Sequence, residues 1–146
     1  MAGVLCKKFA NVLAVEALGS LSRVSQEVLR DLEATPFWSR NLISNTPTSI
    51  QILLGEPLEV VTGAEQGAKW AAATVVVAHC TFWDDDRLET LVRLCELLPI
   101  GSVVVCITRP IFSSMLQLVT EIRAKTNFGD TSIFVLRRVA PAAQES

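Results

Sequence analysis

The chain has 146 residues, half of them hydrophobic and 19% charged, with a formal net charge of -2. One domain's length of mainly apolar material excludes a wholly disordered chain. The near-balance of thirteen Lys and Arg against fifteen Asp and Glu excludes a domain-wide basic field, so no autonomous nucleic-acid binding is expected. Apolar runs such as Ala71 to Ala78 fall far short of the ~20 residues of a membrane-spanning helix. Lys7 and Lys8 follow the first apolar residues rather than precede them, the reverse of a signal peptide.

Taken in chain order, Val12 to Leu18 predicts a buried strand with Glu16 near its end. Leu21, Val24, Val28 and Leu32 recur at helical spacing, and that helix stops by Pro36. Asn45, Thr46 and Pro47 favour a loop. Ser49 to Leu54 reads as the next strand, closed by Gly55, and a short helix is expected over Ala64 to Ala71. The β-branched run Thr74 to Ala78 predicts a central parallel strand covered on both faces. Asp84, Asp85 and Asp86 then precede Leu88, Leu91, Val92 and Cys95, which share one helical face. Acids at a helix start favour the positive end of the dipole and cap free N–H groups. Ser102 to Ile107 is a further apolar strand, and Pro110 ends it. Met115, Leu118, Val119 and Ile122 predict a helix from about Ser113 to Lys125, Asn127 and Gly129 a turn, and Thr131 to Val139 a last strand.

Strands that alternate with helices call for an α/β fold with a mostly parallel sheet. Ligands of such sheets bind beyond the carboxyl ends of the strands, which directs attention to Glu16, Glu56, His79 to Asp84 and Thr108 to Pro110. A carboxylate offers two oxygens to the hydroxyls of a ribose, a role open to Glu16; a surface acid near a helix start is the structural alternative. Glu56 is placed to accept from an adenine amino group or to cap the next helix. His79 is the one histidine, and it is either structural, a polar contact to a ligand, or a general base, which would need an orienting partner. Phe82 and Trp83 either wall a pocket or pack on the next helix. Cys6, Cys80, Cys95 and Cys106 form no C-x-x-C pair. They read as free buried thiols of a reducing, intracellular compartment, with no metal site expected. The chain has neither a G-x-G-x-x-G turn for a dinucleotide nor a G-x-S-x-G elbow for a hydrolase.

In their order these segments resemble class I S-adenosylmethionine-dependent methyltransferases, and most nearly the histone lysine methyltransferases that lack a SET domain, the disruptor-of-telomeric-silencing family. Leu13-Ala14-Val15-Glu16-Ala17 resembles that family's Gly-Val-Glu-Lys strand end, and Gly55-Glu56-Pro57 its Gly-Asp-Phe. Ala78-His79-Cys80-Thr81-Phe82-Trp83 stands where the family has Val-Asn-Asn-Phe-Ala-Phe. Gly101-Ser102 resembles its Gly-Gly, and Thr108-Arg109-Pro110-Ile111 its Ser-Lys-Pro-Phe.

The resemblance covers Gly3 to Ile111 and implies a Rossmann-like sheet with an antiparallel last strand. It implies S-adenosylmethionine as cofactor, with Glu16 on the ribose, Glu56 on the adenine, and His79 and Trp83 on the methyl-transfer side; no catalytic residue is assigned. It also implies a histone as protein substrate and a nuclear location, otherwise a cytoplasmic one. Two departures stand out. His79-Cys80 replaces an Asn-Asn pair, and the family's first strand with its glycine-rich motif has no counterpart. Its loss would leave two strand edges unpaired. Either those strands close up, or a partner strand or a second copy fills the gap, or the chain is an N-terminally incomplete fragment. Residues 1–139 are thus expected to form one methyltransferase-like domain, with residues 140–146 a flexible tail. The functional expectation is a methyltransferase or a truncated fragment of one; the alternative is a catalytically silent interaction module of the same architecture.

Overall fold

A computed structural model describes residues 11–34, 49–126 and 129–141. Cys6, the stop at Pro36, the loop at Asn45 to Pro47, the turn residue Asn127 and the tail beyond Pro141 lie outside the described residues. The chain forms two compact units, Met1–Val60 and Val61–Ser146.

In the first unit, β1 (Asn11–Glu16) runs parallel to β2 (Ser49–Leu54), in register from Asn11↔Ser49 to Glu16↔Leu54. Between them lies α1 (Gly19–Glu33). The helical spacing of its apolar residues is as expected, yet Leu21, Val24 and Val28 are exposed and Ser22 is buried. Gly55 ends β2, and α2 (Pro57–Thr62) follows with Pro57 in its first turn, where a missing N–H costs nothing. A Cβ on Gly55 would stand 2.6 Å from Val60 Cγ2. The close approach of strand end and helix is therefore what demands glycine there.

The second unit holds α3 (Ala64–Ala71), β3 (Val75–His79), α4 (Asp85–Glu96), β4 (Val103–Ile107), β5 (Leu116–Thr126) and β6 (Gly129–Arg138). Its four-stranded sheet has the order β3-β4-β6-β5. β3 and β4 are parallel, and the last strand, β6, is antiparallel to both β4 and β5. The expected α/β fold with parallel pairing and an antiparallel last strand is therefore present. Leu88, Leu91, Leu94 and Cys95 of α4 are buried, as are Val76, Ala78, Val104, Cys106 and Leu136 of the sheet. Each fully buried aliphatic side chain contributes about 1.5–3 kcal/mol.

Two expectations are corrected. The segment Ser113 to Lys125 is not a helix; residues 116–126 form the long strand β5. The spacing of Leu118, Val119 and Ile122 fits a helix only because Val119 is the extra residue of a bulge, where the register skips from Leu118↔Leu136 to Thr120↔Val135. A bulge breaks the period-2 alternation that identifies a strand, and the long-range ladder to β6 outweighs the local period. Likewise β3 is not covered on both faces. Within the second unit's sheet it is the edge strand, with Val76 and Ala78 buried, while Val75 and Val77 are exposed, Val77 at 64%.

Candidate functional site

The expected site residues fall in both units. Glu16 ends β1 and Glu56 lies two residues beyond β2, so the two acids stand at the carboxyl ends of adjacent parallel strands in the first unit. Glu16 is half-buried, and its Oε1 accepts from the backbone N–H of Leu18 at 2.9 Å, which shapes the turn into α1. The Glu16 carbonyl accepts from Gly55 N–H at 3.1 Å, tying the two strand ends together. Glu56 immediately precedes α2, and its carbonyl accepts the first helical bond from Val60 N–H at 3.0 Å. Its side-chain Oε1 is shielded from solvent.

His79 and Trp83 belong to the second unit. His79 closes β3 opposite Ile107 of β4, with its imidazole exposed. The next residue, Cys80, is fully buried. Of the His79-Cys80 pair, only the histidine is open to a ligand. Cys80 is held below the ordinary thiol range by a hydrogen bond from Cys106 and by the charge of Arg109, against the opposing effect of burial. Thr81 to Asp84 then bring the chain into α4. Asp84 is the N-cap, accepting from Arg87 N–H at 2.9 Å through Oδ1. The three adjacent acids therefore begin a helix, and among the described residues no cluster of three metal-ligating side chains occurs.

The loop after β3 is pinned on both flanks by the residues that follow β4. Thr81 Oγ1 lies 2.9 Å from Thr108 Oγ1. Arg109 donates to the Trp83 carbonyl and pairs with Asp85 at 2.6 Å. Phe82 stands between these ties and is 91% exposed. Trp83, expected on the methyl-transfer side, is half-buried. Beside Arg109 opens a groove of about 370 Å³ bounded by Asp85, Glu89, Pro110 and Phe112 among others, within the size range of small-molecule sites.

Thr108 was legible from sequence only as a residue beyond a strand end, and Thr131 not at all. The structure joins them: Thr108 Oγ1 lies 3.1 Å from Thr131 Oγ1, and Thr81 Oγ1 lies 3.2 Å from His79 Nδ1. Thr108 has φ 81°, a left-handed conformation that costs an ordinary residue about 1–2 kcal/mol. Hydrogen bonds contribute about 0.5–1.5 kcal/mol each. The two hydroxyl bonds of Thr108, with its N–H to the Ser132 carbonyl at 2.8 Å, are enough to offset that strain. Partners separated by 23 and 27 residues in the chain leave no local signal in sequence.

No protein-family model and no curated protein matches the chain. Solved structures do. The Haemophilus influenzae protein HI0767, provisionally named a methylase, aligns at TM-score 0.61 and 13% identity over 90% of this chain and 74% of its own. The Escherichia coli protein yhhF, provisionally named a methyltransferase, aligns at TM-score 0.61 and 14% identity over 90% of this chain and 66% of its own. At such identities the likeness is one of fold, and the chain has a methyltransferase-like fold.

Proposed function

We propose that the chain serves S-adenosylmethionine-dependent methyl transfer. The observation that carries this reading is the pair of acids at the carboxyl ends of the parallel strands β1 and β2, within a fold shared with proteins provisionally named methyltransferases. The residues present suit the adenosine part of such a cofactor. With Oε1 of Glu16 engaged by Leu18, its second oxygen would accept from a ribose hydroxyl, and Glu56 would accept from the adenine amino group. When bound, the cofactor supplies an electrophilic methyl group; the protein's part is to orient it and exclude water.

Calorimetry of the full chain with S-adenosylmethionine and S-adenosylhomocysteine tests the reading. Weak binding is expected, reduced by Glu16→Gln and by Glu56→Gln. The reduction should be about tenfold or more each, from the ~1.5–3 kcal/mol of a hydrogen bond to a charged group. An absence of heat at millimolar ligand would sink it. By the resemblance of residues 13–17, 55–57 and 78–83, the acceptor would be a histone lysine; transfer of labelled methyl to histones, but not to their Lys→Arg variants, is the expected result.

A second reading is a catalytically silent module of the same fold, and the buried Cys80 favours it, because that side chain offers a ligand nothing. Fold retention with neither cofactor binding nor methyl transfer would support it.

A further inference from the structure

Three hydroxyls and one imidazole form a continuous line across the ends of β3 and β4 and the first residues of β6: Thr131, Thr108, Thr81 and His79. Each hydroxyl has a single proton to donate. Its oxygen can accept two bonds, so the sense of the line is set at the imidazole end. A neutral imidazole nitrogen is a stronger acceptor than a hydroxyl oxygen, which favours Thr81 as donor to Nδ1; with its one proton so committed, Thr81 accepts from Thr108, and Thr108 in turn from Thr131. An imidazole that accepts at Nδ1 carries its own proton on Nε2.

The backbone of Thr108 indicates that the hydroxyl at its centre is needed. Glycine adopts φ 81° freely, and a β-branched residue is the costliest choice there. What threonine adds over glycine is the hydroxyl that joins Thr81 to Thr131. Strain held in place by surrounding hydrogen bonds is a recurrent mark of functional positions.

We propose that Thr108 is a positioning residue which acts through Thr81 on His79. It holds the imidazole as an Nε2–H donor aimed at an oxygen acceptor of the ligand, not as a base that takes a proton from it. This deepens the methyl-transfer reading and rests on it only for the identity of the ligand.

The test is nuclear magnetic resonance of the full-length 15N-labelled chain without ligand, where the single histidine makes the imidazole spectrum unambiguous. On the alkaline side of the imidazole titration, the wild type is expected to show one tautomer, protonated at Nε2. Thr108→Gly removes the hydroxyl while relaxing the backbone, so the fold persists and both nitrogen shifts move toward those of free histidine. Thr108→Ser restores the wild-type pattern. A wild-type spectrum of the Nδ1–H tautomer, or a Thr108→Gly spectrum superimposable on the wild type, overturns the proposal. Because no cofactor is present, the outcome is independent of the calorimetry: loss of cofactor binding with an intact tautomer would sink the methyl-transfer reading alone.

Discussion

The indole Nε1–H of Trp70 donates to the carbonyl of Leu94 at 2.8 Å, joining α3 to α4. No residue of α3 is fully buried, and this bond adds a directed tie to the half-buried Trp70. Trp70→Phe keeps the ring but leaves the Leu94 carbonyl without that donor. A loss of about 1 kcal/mol, the usual net value of one hydrogen bond, is expected in urea unfolding. An unchanged midpoint would mean that α3 docks by other contacts.

Gly55 is set by space. With Val60 Cγ2 2.6 Å from where a Cβ would stand, Gly55→Ala overpacks the β2–α2 junction and should cost about 1–3 kcal/mol. Thermal unfolding measures it, and the double variant Gly55→Ala/Val60→Ala should recover part of the loss, since the clash is with the Val60 methyl. If the double variant is no better than the sum of the single ones, the clash is not the cause.

Asp84 caps α4 through Arg87 N–H, at the point where the loop after β3 enters the helix. Replacement by Ala should lower stability by about 0.5–2 kcal/mol, and replacement by Ser or Asn by much less. Equal losses for Ala and Asn in denaturant unfolding would show that the side-chain cap is not the stabilising element.

Burial pushes the Cys95 thiol up to about 12, and the charges of Cys80 and Glu96 act in the same direction. An unfolded thiol ionises near its ordinary value of about 8.5. Between these values the unfolded chain has released the proton and the folded chain has not, so the unfolded state binds fewer protons and stability falls as pH rises. The contribution is fully present below about pH 8.5. Urea unfolding from pH 8 to 11 should show this decline, and Cys95→Ala should make it shallower. The same slope in both proteins would contradict it.

Much of the architecture is legible in the chain. β2 is bounded by Gly55 and α3 spans the residues its pattern marks, Ala64 to Ala71. α4 announces itself by its acids and by Leu88, Leu91 and Cys95. These elements are specified by neighbours in sequence: a cap, a breaker, or one period of apolar residues on one face. Glu16, Glu56 and His79 were visible as candidates for the same reason, since a polar residue directly after an apolar run lies at a strand end.

Tertiary structure decided what local pattern leaves open. Residues 116–126 carry a helical period and became a strand, because the ladder to β6 satisfies their backbone groups and a bulge at Val119 hides the alternation. The exposure of Val77 was likewise set by which neighbours β3 has, not by its own residues. Apart from the local contact of Thr81 with His79, the line from His79 to Thr131 and the clasp of Arg109 on Trp83 and Asp85 join residues 23 to 27 positions apart. A hydroxyl or guanidinium has no periodicity of its own; its role is created only when the sheet brings separate strand ends within hydrogen-bonding distance.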